Sequence, residues 1–572
     1  MTKKLIALLL CLCMAVSLFT ACGNKSEVED TVNNPVSSDE KEPAASEESK
    51  PVENEPVEEA AKHVEVLRIG TTYANESFSV WTTAGAFGRM NYHSFTNLCF
   101  WSFDENNELS TEGTFFNGWE INEDNTVLTL NYDLTDLYWH DGTPVSDDDV
   151  LFSMNFWTAR NYPLFLHFTN VEVLETGKIQ LTFDTPMAFS FLNQTSQMYF
   201  IMPEHIWGDV EDPASYDAED KSIGCGPFKL VDIDYDAQVS YYEAVENYPL
   251  GEVTVDKVEL HSYDNEASLI QAMINNEIDV MYGYSNGLDT TLLPLIENID
   301  EIDPGQSLNS ATYQMMFGFN QYPTDQLPFR QAVSYALDYE LLCSTLGGDY
   351  GQIASTGAVS PACLGYDTDL PMNTRDVAKA AQILEDAGYI DVDGDGYREL
   401  PDGTKMSIRI GLQNANDLYK RIAEIIQTNL AEAGIRAVVD EETISNADYR
   451  TEQRMQGQYE IWLSQTTSGM ATWGGVAHYA ASVTITSGQR FGTYADPDYL
   501  AAYDAMSESK NYDEYIAAFK DIQRMNSEDI PVIAFAVESI FYPYRTDTIT
   551  GWINYPARGV INTSTWYNAV AK

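Results

Sequence analysis

The chain has 572 residues and carries 88 Asp and Glu against 31 Lys and Arg, a formal net charge of −57. That balance argues against nucleic acid and against direct adhesion to anionic lipid, because both rest on Lys and Arg neutralising phosphate. With 44% hydrophobic residues, the length is enough for several domains and a substantial core.

Residues 1–21 read as a secretory leader: Lys3 and Lys4 supply the positive start, and the apolar run 5–18 is too short and too rich in small residues for a permanent span. The leader ends on Ala21-Cys22-Gly23 and turns at once to polar, acidic chain. A Cys directly after Thr20-Ala21 resembles the lipobox of bacterial lipoproteins, which implies a lipidated Cys22. Two acyl chains on that sulfur hold a protein on a membrane where one does so only marginally. The alternative is ordinary secretion, with Cys22 in the discarded peptide or left as a free thiol. Between Ser26 and Lys62 the chain has 12 acids, 3 lysines and no aromatic residue. Such a segment cannot bury enough apolar surface to offset its ordering entropy, so residues 22–63 are expected to form an extended, solvated tether.

From residue 64 strands and helices interleave without a repeat. HVEVLRIGTTY (63–73), NTVLTLNYDL (125–134) and VDKVELHSY (255–263) have strand character. Trp139-His140-Asp141-Gly142 reads as a strand end and an Asp-Gly turn, and Ser146 with Asp147 to Asp149 reads as a helix cap with acids in the first turn. Gly224, Gly226 and Pro227 read as a tight crossover. Helices are expected at 267–276, 330–346, 374–388 and 417–434, where apolar residues recur at spacings of three and four; the last two stop on Gly. Mixed elements over this length predict α/β or α+β lobes.

Three clusters carry candidate chemistry. Asp391, Asp393, Asp395, Glu399 and Asp402, with Gly396 and the Tyr397 carbonyl, follow the spacing of a calcium-binding EF-hand loop. A helix precedes them, but KMSIRIGLQ after them reads as a strand, so a structural calcium and a plain Asp-Gly turn both stay open. Gly283-Tyr284-Ser285-Asn286-Gly287 matches the G-x-S-x-G elbow of a serine hydrolase, although His478 is the only histidine after Ser285. Of 7 cysteines, Cys11 and Cys13 leave with the leader and Cys22 takes lipid. The scattered Cys99, Cys225, Cys343 and Cys363 form no disulfide framework and no zinc spacing, though a Cys343 to Cys363 bridge is conceivable.

The stretch EINEDNTVLTLNYDLTDLYWHDGTPVSDDDVLFSM (120–154) resembles the signature of family 5 extracellular solute-binding proteins, the peptide, nickel and opine class that feeds ATP-binding cassette importers. The likeness continues in the family's order through GCGPFKLVDIDYDAQVSYYEAVENYPLGEVTVDKVEL (224–260), FNQYPTDQLPFRQAVSYALDYELL (319–342), AKAAQILEDAGYIDVDGDGYRELPDGTKMSI (378–408) and IQRMNSEDIPVIAFAVESIFYPYRTDTITGW (522–552). It implies an α/β, two-lobed periplasmic-binding-protein-like fold (class II) with an extra inserted domain. The implied division is lobe 1 over 64–103, 223–310 and 531–572, lobe 2 over 311–530, and the insertion over 104–222. It also implies a monomer on the outer face of the cytoplasmic membrane that closes on a ligand and docks on permease subunits. No covalent chemistry and no required cofactor follow from it. The contacts expected to face the ligand are Tyr73, Glu76, Trp81, Tyr284, Ser285, Thr467 and Trp473.

Peptide-binding members typically carry an acid after the strand written here YEIWLSQ (459–465), where it pairs with the peptide amino terminus. Here no acid occurs from Leu463 to Tyr494, so another carboxylate, with Glu76 as a candidate, would have to take its place. An oligopeptide remains the first expectation. An oligosaccharide is the second, since 12% aromatic residues and the flat faces of Trp81 and Trp473 suit stacking. Chelated nickel has little support from seven histidines with no pair at ligand spacing.

Overall fold

In the computed structural model the described residues are 62–76, 78–81, 85–160, 163–195, 199–284, 286–466 and 492–572. They build two large α/β lobes around separate sheets, with a smaller four-stranded sheet set into the first. Cys22, Ser285, Thr467, Trp473 and His478 lie outside the described residues.

The first sheet has seven strands in the order Ile302–Asp303, Tyr544–Arg545, Val280–Tyr282, Leu67–Thr71, Lys257–Ser262, Val239–Ala244 and Phe228–Asp234. Leu67–Thr71 runs parallel to both of its neighbours, Lys257–Ser262 and Val280–Tyr282. Parallel strands covered on both faces read as nearly continuous apolar runs, and LRIGT is buried at four of its five positions. The helix Glu266–Ile274, capped by Asn265, packs against this strand, and a side chain at Gly70 would crowd Leu269 of the helix and strike Ile278 just beyond it. The Asp279 carboxylate, 2% exposed, accepts from the Arg68 backbone N–H at 2.8 Å and from its guanidinium at 2.6 Å, which locks two strands in register.

The second sheet has six strands in the order Gln352–Ile353, Val532–Phe541, Gln306–Phe317, Ile461–Gln465, Ile408–Leu412 and Ala437–Val439. One face buries Met315, Phe317, Ile461, Leu463, Ile533 and Phe535 against helices that include Leu327–Ala336 and Asp417–Glu432. The other buries Met316, Trp462, Val532 and Ala534 against Pro497–Ser507 and Tyr512–Asp529. Asp417–Glu432 starts on Asn416, whose side chain accepts from Tyr419 N–H, and stops at Gly434 with φ +80°. The helix expected across 330–346 is two helices, Leu327–Ala336 and Tyr339–Gly347. Leu337 leaves helical geometry and Asp338 caps the second helix by accepting from Leu341 N–H, a local bond that competes with continuation.

Within 104–222, Phe116–Ile121, Val127–Tyr132, Lys178–Phe183 and Phe168–Glu175 form an antiparallel sheet in that order. Beside it the helix Asp147–Ala159 begins with a capping box, Ser146 and Asp149 each accepting from the other's backbone N–H. Asn125, in the turn before Val127–Tyr132 and fully buried, donates to the carbonyls of Glu508 and Ser509 and so ties this sheet to the second lobe. Gly224 and Gly226 lie close against the chain at 95 and 96: a side chain at either would meet that backbone.

Two adjacent segments carry the chain between the large sheets. Ile302–Asp303 belongs to the first sheet and Gln306–Phe317 to the second; on the way back, Val532–Phe541 belongs to the second and Tyr544–Arg545 to the first. The expected boundaries at 310/311 and 530/531 therefore fall inside and just before two strands that pair in the second sheet. Gly305 makes the first crossing with φ +61°, its N–H donating to Asp303 at 2.8 Å. A side chain there would collide with the carbonyl of Tyr542, which belongs to the second crossing. The four remaining cysteines are all free, which corrects the Cys343 to Cys363 bridge. Cys343 packs in the second lobe's core, while the Cys363 thiol contacts the Ser310 carbonyl at 3.5 Å; burial pushes the Cys363 thiol up to about 12.

Candidate functional site

Open α/β sheets bind ligands beyond the carboxyl ends of their parallel strands. The direction of each strand shows where those ends lie. Val280–Tyr282 runs toward the crossing, since Met281 N–H donates to the Pro543 carbonyl and Leu288 N–H to that of Phe541. Leu67–Thr71 and Lys257–Ser262 share its direction. In the second sheet Val532–Phe541 also ends at the crossing. It and Ile461–Gln465 both pair antiparallel to Gln306–Phe317, and Ile408–Leu412 is parallel to Ile461–Gln465. Both sheets thus turn their carboxyl ends toward the hinge, and the space between them is the candidate cleft.

On the first lobe, Tyr73 follows Leu67–Thr71 and Tyr284 follows Val280–Tyr282. The Arg89 guanidinium lies 4.3 Å from the Tyr73 ring centre and 5.5 Å from that of Tyr284, and Tyr92 stands 4.7 Å from Tyr284. Arg558, from the C-terminal segment, covers the Phe103 ring at 4.7 Å. Burial lowers its guanidinium to about 10. His93, beside it, is held neutral at about 3 by burial and by the Arg558 charge. Glu76 is exposed on the loop after Tyr73. Trp81, expected to offer a free face, is instead stacked on Trp157 of the inserted segment at 5.7 Å and 12°.

On the second lobe, Tyr313 pairs across the sheet with Gln465, and its ring lies 6.3 Å from that of Tyr419. Glu538, near the end of Val532–Phe541, is half-buried; burial raises its carboxyl to about 7, and the nearby Tyr313 hydroxyl partly offsets that rise. Glu538, Arg89 and Arg558 are functional candidates that sequence reasoning passed over. The arginines did leave a trace: no Asp or Glu occurs within 77–103 or 551–572.

The 391–402 loop lies away from this space, after the helix Val377–Asp386 and before the strand Ile408–Leu412. Asp391, Asp393 and Asp395 bring carboxylate oxygens within 4.8 Å of one another. The other expected ligands turn elsewhere: buried Glu399 accepts from Val392 N–H, and Asp402 from Thr404 N–H. Lys405 meets Asp393 at 2.7 Å and Asp395 at 3.2 Å, and Arg436 meets Asp395 at 3.0 Å. Arg436 also covers the Tyr397 ring. Within this partial ligand set Asp393 and Asp395 are thus already met by protein cations, and Asp391 accepts from the backbone N–H groups of Gly394 and Gly396.

Two α/β lobes joined by paired crossing strands, with their strand ends turned toward one hinge, define the class of two-lobed binding proteins that hold a ligand in the intervening cleft. The chain belongs to the bacterial extracellular solute-binding proteins, family 5, whose middle-region model matches residues 114–482. It is 21% identical over 462 residues to Di/tripeptide-binding protein 1 of Pseudomonas aeruginosa (strain UCBPP-PA14), covering 75% of this chain and 80% of that protein. It is 24% identical over 451 residues to the oligopeptide-binding protein AppA of Bacillus subtilis (strain 168), covering 75% and 79%. Its fold matches a periplasmic oligopeptide-binding protein from Thermotoga maritima solved with mannohexaose bound, at a TM-score of 0.62 and 17% identity over 89% of this chain and 99% of that one. Among the described residues no helix is long and apolar enough to cross a membrane.

Proposed function

We propose that this protein is the capture subunit of an ATP-binding cassette importer, taking an oligopeptide between its lobes and presenting the closed form, as a monomer, to a membrane permease. The observation that carries the reading is the pair of strand-end edges turned toward a single two-strand hinge. The peptide-binding relatives support the ligand class. A ligand that prefers the closed arrangement draws the lobes together by that difference in affinity. Glu538 stands in for the acid missing between Leu463 and Tyr494: it sits at the second lobe's edge, near the Tyr313 hydroxyl, and is available to an ammonium group. The division into lobe 1, insertion and lobe 2 is retained, with the lobe boundaries moved to the crossings at 303–306 and 541–544.

The reading includes anchoring through lipid on Cys22, with 22–63 as the tether on the outer face of the membrane. Cys22→Ser is expected to release the protein into the medium or leave its leader uncut; unchanged membrane association contradicts the anchor. The 391–402 loop is assigned as a turn closed by Lys405 and Arg436, without calcium. The binding step is tested by native mass spectrometry of the purified protein together with thermal shift against a casein hydrolysate and a mixture of mannose oligosaccharides. Co-purified peptide mass and protection by the hydrolysate are expected. Protection by the saccharides alone would favour the second reading, for which the mannohexaose-bound neighbour is the support.

A further inference from the structure

Charged side chains in this molecule are generally matched. Arg68 meets Asp279, Arg409 meets Glu460 and Arg545 meets Asp547. Arg89 and Arg558 depart from that pattern, for among the described residues neither has a carboxylate partner. The Nε of Arg89 and the Nη1 of Arg558 are buried with no hydrogen-bond acceptor. They come from segments more than four hundred positions apart; Arg89 lies 5.5 Å from the Tyr284 ring centre, and both charges act on the Tyr284 hydroxyl. No acid offsets them from the adjoining chain, because 77–103 and 551–572 contain none. His93 adds no compensation: it is fully buried and neutral, and both its ring nitrogens lack partners.

Desolvating a guanidinium without an acceptor is unfavourable, and folded proteins seldom keep such groups unpaired. Two at one place, in a chain with a large excess of acids, imply that the acceptor arrives from outside. A guanidinium presents parallel N–H groups in a fixed plane that matches the two oxygens of a carboxylate, a fit an ammonium does not offer. We propose that Arg89, beside Tyr284 at the carboxyl edge of the first lobe's sheet, and Arg558, beside Phe103, form a subsite that binds a carboxylate of the ligand. The proposal rests on the peptide reading above and names the group of the peptide that the first lobe holds. Tyr73 and Tyr284 position the Arg89 plane by cation–π contact, and Phe103 does the same for Arg558.

The test uses synthetic short peptides free of Asp and Glu, prepared once with free carboxyl termini and once as carboxyl-terminal amides, titrated by thermal shift and calorimetry. A third mixture is amidated but contains Asp and Glu. The parent protein is expected to bind the free acids about tenfold to a hundredfold more tightly than the amides. Arg89→Gln and Arg558→Gln are expected to abolish that preference, and Arg558→Lys, which keeps the charge without the fork, to reduce it. Binding of the third mixture as tight as the free acids would assign the carboxylate to an acidic side chain, and weak binding would assign it to the terminus. Equal affinity for acids and amides in the parent overturns the subsite while leaving peptide capture intact. Failure of all three mixtures removes peptide capture itself and the subsite with it.

Discussion

The 391–402 loop and the surroundings of Tyr284 both gather like charges, and they resolve the crowding in opposite ways. In the loop, Asp393 and Asp395 are met by Lys405 and Arg436, and Asp391 accepts from the backbone N–H groups of Gly394 and Gly396, so each carboxylate is answered within the fold. Around Tyr284, two arginines are brought together from distant parts of the chain and left unanswered. The first arrangement stabilises a turn. The second is unfavourable until an anion arrives, which is how a binding site differs from a structural ion pair.

Removing a matched charge should give the largest effect. Asp279→Ala leaves Arg68 partly buried beside a vacant carboxylate position and is expected to destabilise the fold by about 3 kcal/mol, read by chemical denaturation. Arg558→Gln, by contrast, should leave the unliganded protein as stable as the parent or more so, because it removes an unmatched charge. A loss comparable to that of Asp279→Ala would show that Arg558 is structural and erase the contrast.

Glu538 sharpens the comparison from the acidic side. Its carboxyl rises from an ordinary 4.5 to about 7 in the fold, so between those values the native state holds a proton that the unfolded chain has lost. Stability of the unliganded protein should therefore fall as pH climbs from about 4.5 to 7, and Glu538→Gln should flatten that part of the profile. A bound ammonium should do likewise by favouring the carboxylate. Melts across this range, parent against variant, with identical slopes would remove Glu538 from the site.

The smallest expected effect is none. A chelator should leave the melting temperature of the protein unchanged, since protein cations already hold Asp393 and Asp395 and backbone N–H groups hold Asp391. A drop reversed by calcium would return the loop to metal binding.

Local structure was largely legible in the sequence where one short stretch decides it. Ser146 with the acids after it, and Gly434 after an apolar-periodic run, are self-contained signals, and they sit at helix ends as expected. The break at Leu337 was masked because its apolar spacing continues smoothly into the next helix; only the competing bond from Asp338 ends the first. Trp81 shows a second limit, as an aromatic residue reads the same whether its face meets ligand or Trp157. The lobe boundaries were displaced because Val532–Phe541 looks like any buried strand until its partner Gln306–Phe317 is known. The arginine pair was hidden for a related reason: two acid-free windows are visible in the chain, but their meeting at Tyr284 is a property of the fold.

The central claim is that ligand is held by both carboxyl edges across the hinge. Amide hydrogen exchange of residues 62–572, alone and with the peptide fraction that protects against heating, tests it most directly. The account predicts slowed exchange in both lobes together, at 72–76 and 283–288 on the first and at 413–416 and 538–543 on the second. Protection confined to one lobe, or centred on the 391–402 loop, would contradict it.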